Sequence, residues 1–370
     1  MLRRLHRRHE VHYVAFDNPD QPEGVARSSE YCTRAYPIAH SAAPRGSAAF
    51  YLQLAVNLFS PVPAVIGRLK SAEMRKVLER LVAQERFDSV VCDFLTPAIN
   101  VPDLSRAVLF QHNVETHIWQ RRAEHARGPL QSAYMRLQAN RMLAYEKRVC
   151  RQAARVVAVS ASDAEAMEKL FGLEAVPHVP TGVDVAAFAA PADRPAAEWD
   201  LVFIGSMDWT PNEEAVVRFV REILPLVRQS KPDCSLAVVG RRPPRSILRL
   251  AEQDARITVT GTIPDVRPYL WRSRLSIVPL RIGGGTRLKI YESMAAGVPV
   301  VSTTVGAEGL GVHHLEDIRI ADSAEDFAAH CVELLGDGAE RERIAGAGFR
   351  LVSRYFDWDR VVEEFEKLLV

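Results

Sequence analysis

The chain has 370 residues, 48% of them hydrophobic and 25% charged, with a net charge of +1 at pH 7. Single cores usually stop growing at roughly 250–300 residues, so we expect two domains. The composition is that of a globular protein, and the near-neutral charge argues against nucleic-acid binding, which normally needs a basic excess.

The N-terminal residues and the cysteines point to an intracellular protein without a metal site or disulfides. The first nine residues are basic but lack the apolar core and cleavage site of a signal peptide. No apolar run reaches the roughly 18 residues that a membrane span requires. The five cysteines are widely spaced, without a metal-binding or disulfide pattern. We therefore predict a cytoplasmic protein whose cysteines are structural thiols.

The first half of the chain alternates short apolar runs with helical patterns. Because these runs are apolar without alternation, they favour parallel strands covered on both faces. Strands are predicted at residues 11–16, 89–92, 107–111 and 155–159. Residues 2–9 resemble the end of a helix, whereas a doubly wound domain begins with a strand and a tight loop. The first strand is thus expected to be missing, through a different start or a truncated chain.

The second half repeats this scheme more regularly. Strands are predicted at residues 201–204, 235–239, 257–260, 275–278 and 298–302, and helices at 213–227, 244–255, 266–272, 288–296 and 324–335. Residues 187–197 have no period and are typical of a linker. We predict an N-terminal domain at 1–183 and a C-terminal domain at 184–356. The amphipathic terminal helix, 357–370, either crosses back to the first domain or closes its own.

A glycine-rich segment at residues 283–285 follows a predicted strand and opens a helix. Glycines let backbone N–H groups approach an anion, and the helix N-terminus adds partial positive charge. Arg287 and Lys289 lie in the first turn, where cations oppose the helix dipole unless an anion lies between them. The segment therefore predicts a diphosphate site, the alternative being a flexible turn with solvated charges.

Glu292 follows Lys289 by three residues, so both side chains lie on one helix face. One interpretation is an ion pair between them. The other is a carboxylate that accepts hydrogen bonds from the ribose hydroxyls of a nucleotide, as acidic residues do in dinucleotide-binding folds.

Residues 283–297, continuing through 298–303 and 306–310, resemble the donor-site signature of retaining GT-B glycosyltransferases of family 4. The branch is that of sugar transferases from exopolysaccharide gene clusters. Supporting matches lie at 203–209 with Pro211 and Asn212, at 239–241, at 260–261 with 265–266, and at 179–184. The resemblance spans about residues 85–370 and implies an α/β GT-B fold, with two Rossmann-like domains facing across a cleft.

This resemblance implies metal-independent, retaining transfer of a sugar from a nucleotide-diphosphate sugar, without a cofactor, to a glycan or lipid-linked acceptor. The family's pair of glutamates is incomplete, since the first falls on Gly284 and only Glu292 matches, so the sugar contacts must differ. By the resemblance, the donor is bound by Gly205, Arg241, Gly283, Gly284, Gly285, Thr286, Arg287, Lys289 and Glu292. For Arg241 an ordinary surface charge is the alternative.

His112 ends a predicted strand in the first domain. The resemblance implies a histidine near this position that contacts the donor sugar and orients the reaction, so His112 is our catalytic candidate. The alternatives are a structural histidine, with Asn113 and Glu115 capping the next helix.

Residues 51–70 are apolar and are followed by basic residues. In the family this region meets the acceptor. Two interpretations remain open: a segment lying on the inner membrane surface, and an ordinary buried helix with a solvated end, which we favour.

Two other functions compete with glycosyl transfer. The missing first strand favours a non-catalytic sugar-nucleotide-binding or scaffold protein. A GT-B epimerase would need acidic and basic groups on both sides of the sugar C2, and the sequence offers no compelling set.

Overall fold

The computed structural model of the protein describes residues 1–18, 23–44, 46–126, 128–282 and 287–369. The chain divides into two compact units. Unit 1 comprises Met1–Pro180 and Val362–Val370, and unit 2 comprises Thr181–Val361. Each unit has its own hydrophobic core.

The described residues of unit 1 contain five strands, paired in parallel in two sheets of order β1-β2 and β3-β4-β5. Every residue of the central strand β4 is buried, which explains its continuous apolar sequence. In the register of β3 and β4, Asp93 lies opposite Phe110, so both strands end at the same edge. The strands are β1 (His12–Phe16), β2 (Arg34–Ile38), β3 (Val90–Asp93), β4 (Ala107–Gln111) and β5 (Arg155–Ala158).

Eight helices accompany these strands in the described part of unit 1. They are α1 (Leu2–Leu5), α2 (Glu23–Ala26), α3 (Ala48–Asn57), α4 (Ala64–Gly67), α5 (Ala72–Gln84), α6 (Glu115–Glu124), α7 (Pro129–Gln152) and α8 (Ala161–Phe171). Helix α3 begins at Ser47, whose hydroxyl accepts the N–H of Phe50, and it has no buried residue. The expectation of a buried helix at residues 51–70 is therefore wrong for α3, whereas α4 in the same segment buries Ala64 and Ile66.

Unit 2 contains a six-stranded parallel sheet of order β11-β10-β9-β6-β7-β8. The chain builds the sheet outward from β6 on one side and then returns to build it outward from β9 on the other. This is the doubly wound order, with its switch point between β6 and β9. The strands are β6 (Trp199–Ile204), β7 (Leu236–Val239), β8 (Ile257–Val259), β9 (Ser273–Val278), β10 (Val300–Ser302) and β11 (Arg319–Ile320).

The helices of unit 2 pack on both faces of this sheet. They are α9 (Val185–Phe188), α10 (Thr210–Arg218), α11 (Leu224–Ser230), α12 (Arg245–Gln253), α13 (Arg267–Trp271), α14 (Leu288–Ala295), α15 (Thr304–Ala307), α16 (Ala324–Gly336) and α17 (Gly338–Leu351). The predicted helix at 213–227 is interrupted by a π-helical turn, Phe219–Ile223. Pro225 follows this turn and lacks an N–H, so the wider turn accommodates the missing hydrogen bond.

The terminal helix α18 (Trp358–Glu366) begins in unit 2, and its last residues belong to unit 1. There the ring of Phe365 lies 5.0 Å from that of Phe110. Glu366 accepts hydrogen bonds from Arg8 at 2.9 Å and His9 at 2.8 Å. The C-terminal residues are thus fixed to β4 and to the turn that follows α1.

All five cysteines are buried and none forms a disulfide. Burial raises the pKa of Cys92 and Cys150 to about 12, so these thiols are unreactive near neutral pH. Their character as structural thiols is confirmed. Within the described residues, no helix has the length and apolarity that crossing a bilayer requires.

Candidate functional site

The topology of unit 2 places a crevice at the carboxyl ends of β6 and β9, where the strand order reverses. In open parallel sheets, ligands bind at such switch points. Gly205 follows β6, and the segment from residue 279 to Lys289 follows β9 and opens α14. We call the group formed by Gly205, Asn212, Gly240, Lys289 and Glu292 the switch site.

Two glycines, Gly205 and Gly240, allow neighbouring backbone segments to approach each other closely at this site. A Cβ atom added to Gly240 would lie 1.8 Å from the carbonyl oxygen of Gly205, so only glycine fits there. A Cβ atom on Gly205 would lie 2.6 Å from Nδ2 of Asn212 and 2.9 Å from Nζ of Lys289. The turn after β6 therefore packs directly against the first turn of α14.

Among the described residues, Lys289 forms its hydrogen bond in the switch site with an amide and not with a carboxylate. Its Nζ donates to Oδ1 of Asn212 at 2.8 Å and lies 4.3 Å from the ring centre of Phe203. Asn212 is buried and donates to the carbonyl of Ser206 at 2.9 Å. Burial, and secondly the charge of Arg287, lowers the pKa of Lys289 to about 7. An anion bound beside this amine would favour its charged form.

Glu292 and Arg287 lie on either side of Lys289 along α14. Burial raises the pKa of Glu292, while the charge of Lys289 opposes this shift. The amine of Lys289 donates to Asn212 and not to Glu292, so the alternative of a simple ion pair is not what the fold forms. Arg287 is buried, with Nη2 3.5 Å from the carbonyl oxygen of Val305.

The structure says less about the other residues that were predicted to bind the donor. Gly283, Gly284, Gly285 and Thr286 lie outside the described residues. The carbonyl of Arg241 accepts the N–H of Met207 at 3.0 Å, which ties β7 to the Gly205 turn. Its side chain is exposed and lies 3.7 Å from Asp208.

His112 lies in unit 1, just beyond the end of β4. Its Nε2 is 2.7 Å from Oδ1 of Asp93, and its ring stacks on Phe94 with 3.9 Å between the ring centres. The rings of His112 and Phe110 lie 4.6 Å apart. The histidine is thus held at one edge by a carboxylate and on one face by Phe94, with the tilted ring of Phe110 nearby.

A buried carboxylate anchors the loop that carries His112. Glu146 accepts the N–H groups of Glu115 at 3.0 Å and Thr116 at 2.7 Å, which are the first two of helix α6. It also accepts from the Thr116 hydroxyl at 2.6 Å and the Gln111 amide at 3.3 Å. Burial raises the pKa of Glu146 to about 7, against the effect of these hydrogen bonds. Glu146, and not Asn113 or Glu115, therefore caps the helix.

Sequence reasoning missed two polar partners, Asn212 and Asp93. Asn212, at the start of α10, was part of the family match, but its spacing in the sequence gives no sign that it reaches Lys289. Asp93 ends strand β3, the parallel neighbour of β4. A polar residue at the end of a neighbouring strand was the available signal for it.

Comparisons with known proteins agree with this architecture. The family model described as Glycosyltransferase Family 4 matches residues 1–187, just over half of the 370-residue chain. The model described as Glycosyl transferases group 1 matches residues 198–337.

Two curated relatives are similar in sequence. An "Uncharacterized 44.6 kDa protein in cps region" of Klebsiella pneumoniae is 22% identical over 45% of this chain and 45% of its own length. The D-inositol 3-phosphate glycosyltransferase of Nocardia farcinica is 25% identical over 59% of this chain and 52% of its own. The chain spans about half the length of these relatives.

Among solved structures, HepE of Anabaena in complex with UDP has a TM-score of 0.65 at 14% identity, covering 97% of this chain and 99% of that one. This likeness shows the fold, which is that of GT-B glycosyltransferases with two Rossmann-like units. With a family model matched over more than half of its length, the chain belongs to glycosyltransferase family 4.

Proposed function

We propose that this protein transfers a sugar from a nucleoside-diphosphate sugar to an acceptor, with retention of anomeric configuration. The observation that carries the proposal is the position of Lys289. In a member of family 4, its amine lies half-buried at the strand switch point, against the Gly205 turn, and among the described residues its hydrogen bond goes to an amide and not to a carboxylate. Such a cation is suited to an anionic ligand.

The donor diphosphate is neutralised by Lys289, Arg287 and the N-terminus of α14, with the amides of residues 283–285. These groups also stabilise the departing nucleotide diphosphate, since fixed charges and dipoles are the largest catalytic contribution in many enzymes. We assign this role to protein cations in place of a metal ion. Glu292 accepts hydrogen bonds from the ribose hydroxyls, and Arg241 approaches the nucleotide.

The nucleotide is UDP or GDP in this proposal. The solved structure of HepE contains UDP, and another structure of that protein contains UDP and glucose. His112 contacts the donor sugar. The acceptor is a polysaccharide, a lipid-linked sugar or another glycan, and the relative whose name places it in a cps region favours a polysaccharide.

Exposed apolar side chains on helix α3 and just after it support a proposal of peripheral contact with the inner face of a membrane. Phe59 is 93% exposed and Leu52 is 66% exposed, although both are large apolar side chains. No aspartate or glutamate occurs between Glu30 and Glu73, whereas arginine and lysine do. Apolar side chains within a basic segment are suited to an anionic lipid surface. In sedimentation with vesicles of anionic lipid, the wild type should pellet with the vesicles. A Leu52→Ser, Phe59→Ser double variant should remain in the supernatant.

Calorimetry with UDP-glucose, UDP-N-acetylglucosamine and GDP-mannose tests the donor site. Lys289→Ala and Glu292→Ala should each weaken binding of the recognised nucleotide about tenfold or more, or roughly 1.4 kcal/mol. Lys169→Ala, which removes an exposed lysine of unit 1, should bind like the wild type. Unchanged affinity in both switch-site variants would contradict the donor assignment.

A second measurement separates transfer from binding alone. Release of the nucleotide diphosphate, with NMR of the sugar product, reports turnover and anomeric configuration, and added EDTA tests metal independence. Tight binding without any turnover would support the non-catalytic alternative.

A further inference from the structure

The pair formed by Asp93 and His112 is built from the ends of two neighbouring strands. Strands β3 and β4 are parallel and in register, with Asp93 opposite Phe110, so Asp93 lies close to the residues that follow β4. His112 is the first of these. Its Nε2 is 2.7 Å from Oδ1 of Asp93, the distance of a charge-assisted hydrogen bond.

Phe94 fixes the same imidazole from its face. The planes of the two rings differ by 18°, with 3.9 Å between their centres. Phe94 adopts this position with a φ of +71°, in the left-handed region that bulky side chains rarely enter. Its N–H donates to the carbonyl of Phe110 at 2.9 Å, which holds the strained turn.

The arrangement is not explained by stability. The side chain of Asp93 is 57% exposed, and ion pairs with so exposed a partner contribute little to folding. A left-handed phenylalanine costs free energy, and such strain persists mainly at functional sites. The hydrogen bond of Asp93 and the stacking of the strained Phe94 both act on the imidazole of His112. We conclude that the fold maintains the orientation of this ring.

The chemistry of the pair determines which nitrogen of His112 carries the proton. An ionised carboxylate only accepts hydrogen bonds, so Nε2 must be the nitrogen that donates. In the neutral ring, Nδ1 then has a free lone pair. No other hydrogen bond of His112 is found among the described residues.

From this geometry we infer that Asp93 is a positioning residue that fixes His112 as the Nε2–H tautomer. Nδ1 then accepts a hydrogen bond from a hydroxyl group of the sugar substrate. The inference rests on the proposed function for its substrate and on the Asp93–His112 geometry for its tautomer. It makes His112 a hydrogen-bond acceptor toward the sugar when the ring is neutral.

Nitrogen NMR of histidine-labelled protein tests the tautomer without any ligand. Spectra are recorded above about pH 8, where imidazoles are mainly neutral, and the His112 signals are assigned with His112→Asn. The wild type should show Nε2 protonated and Nδ1 unprotonated. Asp93→Asn, whose amide can donate, should shift His112 toward the Nδ1–H form. Asp88→Asn removes an exposed aspartate before the same strand and should leave the signals unchanged.

The remaining histidine signals show whether each variant is folded. A wild-type His112 protonated on Nδ1, or one whose signals are identical in Asp93→Asn, would overturn the inference.

Turnover of UDP-glucose, UDP-N-acetylglucosamine and GDP-mannose then connects the tautomer to the reaction. Asp93→Asn should lower kcat about tenfold to a hundredfold, because misoriented groups lose rate of this order, with the KM for the sugar nucleotide nearly unchanged. Asp88→Asn should match the wild type. If the tautomer changes while kcat stays within about twofold of the wild type, Asp93 is not a positioning residue. If the wild type has the expected tautomer but turns over no sugar nucleotide, the proposed function fails and the tautomer assignment stands.

Discussion

Replacing Lys289 by methionine removes the ammonium group of a half-buried residue of unit 2 and keeps a side chain of similar length. Burial and Arg287 lower the pKa of this lysine to about 7 in the folded protein. In the unfolded chain a lysine titrates near pH 10.4, so the unfolded state binds more protons between these values. The wild type must therefore become more stable with rising pH, relative to Lys289→Met, in this window.

The size of the effect follows from the linkage of protons to folding. Each pH unit between the two pKa values changes the free energy of unfolding by at most about 1.4 kcal/mol. From pH 7 to pH 9 the wild type should gain up to about 2.7 kcal/mol on the variant. Below pH 7 the lysine is charged in both states, and the difference between the proteins becomes constant.

Urea unfolding at pH 7, 8 and 9, followed by tryptophan fluorescence, measures this difference. Four of the five tryptophans, Trp199, Trp209, Trp271 and Trp358, lie in unit 2, so the signal reports mainly on the unit that contains Lys289. Lys169→Met, which removes an exposed lysine of unit 1, serves as the control and should follow the wild type. If the free energy of unfolding of the wild type and of Lys289→Met changed with pH in the same way, the lowered pKa of Lys289 would be refuted.

Two further predictions concern backbone packing and a buried acid. Gly240→Ala places a Cβ atom 1.8 Å from the backbone oxygen of Gly205 and should cost more than about 3 kcal/mol of stability in urea unfolding. In Gly261→Ala the added atom meets nothing within 4 Å, so the loss should be near 1 kcal/mol, from backbone strain alone. Equal losses would contradict the close approach of the two turns. Burial raises the pKa of Glu146 to about 7, above its unfolded value, so its contribution to stability is present at pH 4 and lost as pH rises to about 7. Thermal unfolding at pH 4.5 and 7.5 should show that Glu146→Gln removes this dependence, and an identical pH dependence in both proteins would contradict it.

The regular elements of the two units were largely predictable, because a parallel sheet covered on both faces requires continuous apolar runs. The strand predicted at residues 107–111 is Ala107–Gln111, and the helix predicted at 288–296 is Leu288–Ala295. Some elements were missed, among them β2 and α17. Strand β2 contains Pro37, which is unusual inside a strand, and helix α17 contains three glycines, which weaken a helical pattern.

The apolar segment around helix α3 shows the limit of hydrophobic pattern alone. Its composition favours burial, and the sequence contains nothing that says whether another element covers it. The fold leaves Leu52 and Phe59 in solvent, so their apolar surface is available to a partner.

Taken alone, the sequence determined the α/β class, the family resemblance and the residues that open α14, because these depend on local periodicity and on neighbours along the chain. The tertiary structure decided the partners of the key side chains. Lys289 meets Asn212 from 77 positions away, and His112 meets Asp93 from 19. The reason is physical: parallel strands that are distant in sequence end at one edge of a sheet, and the side chains that follow them come into contact only once the sheet has formed.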